Sequence, residues 1–177
     1  MKIVSIFEEQ LFSFHFEGEK YNEYDRLIES WTDVDYLYDF AKRNTNNVDI
    51  DKYVSDRLED AEQIIDLVED ISSNSHKSLD TFFQPLHNSE YSLKELSLQK
   101  GKTKHRNRKN HLRIYAIRID VNCFVITGGV IKLSQTMQEN VESNHELTKL
   151  KKCRSYLKEN GVYDNESFFE LIFNDNE

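Results

Sequence analysis

HLRIYAIRIDVNCFVITGGVIKL, residues 111–133, is the most apolar and β-branched part of this chain. Only Asp120-Val121-Asn122 and the pair Gly128-Gly129 interrupt it. A polar break followed by a glycine pair, inside runs rich in Ile, Val, Tyr and Phe, predicts consecutive strands joined by a tight turn, with a bend or bulge at the glycines. Directly before it lies KGKTKHRNRKN, residues 100–110, which holds no apolar residue. A basic loop therefore feeds a central strand.

Charge is segregated in the same place. The chain of 177 residues, long enough for one domain with a full core, has 23 Lys and Arg against 32 Asp and Glu, a formal charge of −9. Eight of those 23 basic residues, and none of the acidic ones, fall in 100–118, leaving 15 basic against 32 acidic elsewhere. The window thus carries +8 and the remainder −17. This fits a local anion site on an acidic body, because steering follows the local field more than the sum. The competing expectation is a disordered, solvated loop. Cys123 and Cys153 lie in an apolar strand run and a helical run, and are expected to be reduced packing residues. Neither has a partner at zinc-ligand spacing, so no metal or other cofactor is expected. The apolar run 3–7 is too short for a signal peptide or a membrane span, so a cytoplasmic protein without membrane association is expected.

Outward from the core stretch, residues 3–7 and 11–16 predict an opening hairpin, with a helix through the second run as the alternative. Phe12, Phe14 and Phe16 alternate with Ser13 and His15, which favours a strand with one apolar face and places His15 at the surface. Tyr24, Leu27, Ile28 and Trp31 mark an amphipathic helix over 21–31. Thr32 then caps a helix over 33–42 with the stripe Val34, Leu37, Tyr38 and Ala41. A long helix over 51–71 follows, apolar at Val54, Leu58, Ala61, Ile65 and Val68. Its other face, Asp56, Glu59, Asp60, Glu62, Asp66, Glu69 and Asp70, reads as solvated, with a docking surface for a basic partner as the alternative. Residues 71–77 form a linker, and 91–98 a strand or a short helix. Ser143 and Glu146 predict a capping box opening a helix with Leu147, Leu150, Cys153 and Leu157 that ends at Gly161. A last helix covers 165–173. Strands, helices, strands, helices in that order predict an α+β fold: an antiparallel sheet packed against N-terminal helices, with a C-terminal helix. One domain over 1–177 is expected, mostly helical over 1–80, with the sheet core and its helix over 82–157 and the last helix over 162–177.

In an extended strand His111, Arg113 and Tyr115 alternate onto one face, within reach of Lys132 if its strand pairs nearby. Such a set suits a phosphodiester: Arg forks onto phosphate oxygens, Tyr stacks on a base, and His or Lys moves a proton. Without metal, the available reaction is attack by a ribose 2′-hydroxyl on its own phosphate. The plainer expectation is that Arg113 and Tyr115 are strand residues reaching to solvent. Lys104, His105, Arg106, Arg108, Lys109 and Arg118 would supply the RNA-binding charge. No Ser/His/Asp set, paired carboxylate or nucleotide loop stands out, and Gly128-Gly129 opens no helix.

Phe83-Gln84-Pro85-Leu86, Leu93-Lys94-Glu95-Leu96, Leu112-Arg113-Ile114-Tyr115 and 125–132, VITGGVIK, occur in an order and spacing that resembles the RelE/HigB-type toxins of bacterial type II toxin–antitoxin systems, in particular a phage-related branch. The resemblance covers about 82–157. It implies a RelE-like sheet and an endoribonuclease that cleaves mRNA, free or on the ribosome, without a metal, and that is held inactive by a small helix-turn-helix antitoxin. Carried over by position, Arg113 is the strand arginine, Tyr115 the tyrosine two later, and Lys132 the first of a lysine pair. Leu133 stands where the second lysine would be, and Ser97 where arginine is frequent. The expectation is therefore an RNA-cleaving toxin in which Arg113 steadies the phosphate, His111 or Lys132 moves the proton and Tyr115 orients the base. The alternative is a non-catalytic RNA- or protein-binding module of the same fold.

Overall fold

The computed structural model describes residues 1–7, 9–73, 76–87, 96–103, 107–133 and 139–175, the side chains of 139–141 excepted. The opening hairpin is β1 (Lys2–Phe7) and β2 (Leu11–His15), followed by α1 (Glu23–Trp31), α2 (Val34–Asn44) and α3 (Ile50–Ser73). One helical turn, α4 (Leu79–Phe82), leads into β3 (Phe83–Pro85), then β4 (Ser97–Gly101), β5 (Leu112–Asp120) and β6 (Cys123–Ile131). Two helices, α5 (Glu139–Glu159) and α6 (Asn165–Asp175), complete the chain. The strands form one sheet in the order β1-β2-β6-β5-β4-β3. Its pairs are antiparallel except β2 beside β6, which run parallel. This is a mixed α+β fold with a mostly antiparallel six-stranded sheet, N-terminal helices and a C-terminal helix.

Helices cover both faces. Leu112, Ile114, Ala116, Phe124 and Ile126 pack with Leu27, Trp31, Leu37, Phe40 and Ile64 from α1, α2 and α3. Tyr115, Ile117, Ile119, Cys123 and Val125 pack with Leu150, Cys153, Leu157 and Phe168 from α5 and α6. A strand buried on both faces has no polar side to alternate, which is why 123–131 shows no apolar–polar alternation. Both cysteines are buried free thiols, and burial pushes each thiol up to about 12.

The predicted turn and bulge are present. Val121 and Asn122 join β5 to β6, with Asn122 in the left-handed region at φ 54°. Further along, Tyr115 pairs with Gly128 but Ala116 with Ile126, so Thr127 is an extra residue on β6. The bulge shifts the alternation by one: Val125 faces α5 and α6, and so does Val130, five residues on. Gly128 has φ +155°, and an added Cβ there would run into the Glu146 carboxylate and Lys149 of α5.

Three helix details differ from the expectation. Asp33, not Thr32, caps α2, its carboxylate accepting from the N–H groups of Asp35 and Tyr36; Thr32 ends α1, donating to the Ile28 carbonyl. The buried stripe of α2 is Leu37, Phe40 and Ala41, while Val34 and Tyr38 are exposed, because α2 turns Phe40 toward the sheet. Helix α5 opens at Glu139, so Ser143 and Glu146 lie inside it and form no capping box. Glu146 is used instead to contact the sheet. Of 91–98, only the last residues belong to β4, which continues into the basic segment: Lys100 pairs with Tyr115 and Gly101 with Ile114. Residues 91–95 lie outside the described residues.

Candidate functional site

One cation of the basic segment, Arg108, is neutralised from within the chain. Arg108 donates to Asp60 Oδ1 at 2.6 Å, the Asp56 carbonyl at 2.7 Å and Glu59 Oε2 at 3.1 Å, all on α3. Partial burial works against its charge, but its bonds to Asp60 and Glu59 and the field of Asp56 outweigh that and raise its pKa. Asn110 donates to the Asp60 carbonyl at 3.0 Å. Asp60 was expected on a solvated face, yet it is fully buried. The buried stripe of α3 runs Val54, Arg57, Ala61, Ile64, Val68 and Ile71, so Arg57 and Asp60 sit inside it as an ion pair 2.9 Å long. Asp56, Glu59 and Asp60 of the acidic face thus receive a cation of this chain's own loop, while Glu62, Asp66, Glu69 and Asp70 are exposed. Arg118 is likewise bound to Asp80 Oδ1, at 3.2 Å.

Of the predicted catalytic set, Arg113 and Tyr115 share the α5 side of β5. Lys132 is exposed, and lies diagonally from Arg113 through the pair Arg113–Val130. His111 does not join them. Its Nδ1 lies 3.0 Å from Arg57 Nη1, and its N–H donates to Asp60 Oδ2 at 3.1 Å, which turns the ring toward α3. Arg113 is half-buried and spends Nη1 on the carbonyls of Asn110 (2.6 Å) and Leu112 (2.8 Å). Burial lowers its pKa and raises that of Tyr115, which is only 7% exposed. Lys109 is exposed. Lys104, His105 and Arg106 lie outside the described residues, as does Glu95.

His111 carries a pH dependence. Burial first, then the guanidinium of Arg57, hold its imidazole below the ordinary value of 6.5; Arg108 and Arg113 act the same way and Asp60 opposes them. A base with a depressed folded pKa binds more protons when unfolded. Its contribution is therefore present above about 6.5 and is lost as pH falls toward the folded value. The urea midpoint of the wild type should fall between pH 7 and 5.5, and His111→Gln should flatten that slope. An unchanged slope in the variant would remove His111 as its source.

A second polar cluster lies where β2 leaves β6. Their last paired residues are Ser13 and Ile126, so the rest of β6 has an open edge on that side. Lys132 N–H donates to His111 carbonyl at 2.7 Å. By the alternation of an antiparallel ladder, Gly129 and Ile131 direct their backbone groups away from β5, toward this edge. Glu146 takes up the first of them, its Oε2 accepting from Gly129 N–H at 3.2 Å. Lys149 joins Glu146 (2.9 Å) to Glu23 (2.6 Å), and Arg26 grips Glu23 at 2.7 and 3.1 Å. Burial pushes the Glu23 carboxyl up, and its bonds to Arg26 and Lys149 outweigh this, leaving it below its ordinary value.

Beside this network opens a cleft of about 380 Å³ between α1, α2 and the first turns of α5. Tyr36 supplies an exposed aromatic ring with Trp31 and Phe40 buried behind it, residues 129–131 the sheet edge, and Arg26, Glu142, His145 and Glu146 the polar lining. A concave, partly aromatic site with a few convergent polar groups is what a ligand requires. Nothing in the sequence singles these residues out. Glu23 with Arg26, and Glu146 with Lys149, are ordinary helical i,i+3 pairs, and only Gly128-Gly129 hinted that something approaches β6 closely. Among the described residues, no helix is long and apolar enough to cross a membrane, and no three His, Cys, Asp or Glu are grouped to hold a metal ion. No family model matches the chain, and neither does any curated protein or solved structure.

Proposed function

We propose that this protein is a non-catalytic binding module that takes its ligand in the cleft along the open edge of β6. The observation that carries this reading is the contrast between the two polar regions. Arg108, Arg118 and His111 are each occupied by partners within the chain, and Arg113 by two carbonyls. The cleft, in contrast, combines an outward-facing strand edge with the exposed ring of Tyr36 and an exposed carboxylate, Glu142. Phosphate binding rewards cations that are free to exchange water for phosphate oxygens. Three carboxylates and a carbonyl already surround Arg108.

A second reading, an RNA-cleaving toxin held by a small helix-turn-helix antitoxin, draws on Arg113, Tyr115 and Lys132 sharing one side of the sheet. Induced expression in a bacterial host, with RNA ends mapped for the wild type and Arg113→Ala, separates the two. The binding module predicts normal growth and an unchanged pattern of RNA ends at good soluble expression. Growth arrest with new ends, both abolished by Arg113→Ala, would overturn it in favour of the nuclease.

A further inference from the structure

We infer that the cleft recognises a basic side chain, lysine or arginine, carried on an extended segment of a partner protein that lies along β6. This rests on the cleft being the binding site, and it adds the chemistry of the ligand.

Charge is the first support. Around the cleft stand three carboxylates, Glu23, Glu142 and Glu146, and two cations, Arg26 and Lys149. Both cations are held by Glu23 and Glu146: Arg26 through the two-point contact with Glu23, Lys149 bridging the pair. Among the described residues Glu142 stands in no ion pair, and its charge reaches the hydroxyl of Tyr36, whose pKa partial burial and Glu142 both raise. One carboxylate is therefore left over, beside the exposed ring of Tyr36. A carboxylate beside the exposed Tyr36 ring suits an organic cation, which gains from the charge and from the ring face together. A neutral guest would gain only from the ring, and an anion would be repelled.

The strand edge is the second support, and it distinguishes a peptide from a free amine. By the ladder alternation Ile131, which lines the cleft, turns its N–H and carbonyl away from β5, while the Glu146 carboxylate already occupies the N–H of Gly129, as a neighbouring strand's carbonyl would. One residue of an added strand can satisfy the pair of groups at Ile131. The next side chain along that strand is then placed over the cleft, because successive side chains alternate in direction. A free alkylammonium ion satisfies Glu142 and leaves Ile131 unused.

Trp31, the chain's only tryptophan, lines the cleft and reports occupancy by its fluorescence. The full-length protein is titrated with acetyl-Val-Lys-Val-methylamide, with the norleucine analogue in place of lysine, and with n-butylammonium. The expected result is saturable binding of the lysine peptide at least about tenfold tighter than of either other probe. That advantage should be lost in Glu142→Gln, an exposed position on α5 that leaves the fold intact. Equal binding of the norleucine peptide, or an unchanged affinity in Glu142→Gln, would overturn the basic side chain while leaving the cleft as a binding site. Tighter binding of n-butylammonium than of the lysine peptide would overturn the extended segment. No response to any probe, together with no protection of the α1, α2 and β6 amides from hydrogen exchange, would sink both the inference and the cleft.

Discussion

Replacing Asp60 with alanine is expected to cost about 3–5 kcal/mol of folding stability, the loss typical of removing one partner from a buried charge pair. Asp60 is fully buried and serves four groups: Arg57 Nε at 2.9 Å, Arg108 Nη1 at 2.6 Å, the His111 N–H at 3.1 Å and, through its carbonyl, Asn110 at 3.0 Å. The first three bonds go to the carboxylate. Without it, Arg57, itself only 2% exposed, keeps a guanidinium in the core with no opposite charge beside it. Arg57 can then neither ionise comfortably nor lose its proton, so helix α3 must shift to admit water. Against a total stability of about 5–15 kcal/mol for a domain of this kind, such a loss approaches unfolding. Arg108→Ala makes the informative contrast. Its side chain is 23% exposed and water can replace much of what it gives, so about 1–2 kcal/mol is expected there. Urea denaturation of both variants checks the ranking. Equal losses would mean that Asp60 matters only as the anchor of the basic segment, and that Arg57 finds another partner.

Gly128→Ala is expected to be the second most damaging single change, at about 3 kcal/mol or more, from two costs that add. The backbone at φ +155° is one that a side chain rarely tolerates, worth about 1–3 kcal/mol by itself. The new methyl group would also overlap the Glu146 carboxylate and approach Lys149 Cε to 2.8 Å. Neither can retreat freely, since Glu146 holds Gly129 N–H and Lys149 bridges Glu146 to Glu23. The first turns of α5 would lift from the sheet and the cleft would widen. Gly161→Ala isolates the backbone cost, because its φ is +77° and nothing lies within 4 Å of an added Cβ. Thermal unfolding should rank Gly128→Ala well below Gly161→Ala. Similar melting temperatures would show that α5 yields easily and that the contact over Gly128 contributes little.

What the amino-acid sequence determined by itself is the set of features that a short window contains. The run 111–133 announces its two strands, its turn and its bulge, because β-branched residues, a polar break and a glycine pair act on the backbone within a few positions. The opening hairpin and the helices follow from alternation and from the 3.6-residue period in the same way. Where two readings shared one period, the window could not choose. In α3 both Val54-Leu58-Ala61-Ile65 and Val54-Arg57-Ala61-Ile64 satisfy it, and the charge of Arg57 favours the first. The fold takes the second, because His111 and Asp60 are there to receive the guanidinium. Tertiary structure alone decided the electrostatics. Arg108 looked free while its counter-charges, Asp56, Glu59 and Asp60, lay some 50 residues earlier in the chain, on a face that reads as solvated. Arg108 beside Asp60, and Lys149 beside Glu23, are separated by 48 and 126 positions. Local rules do not act across such distances, so the partners of those charges, and with them the place where a ligand could bind, exist only once both layers of helices have closed on the sheet.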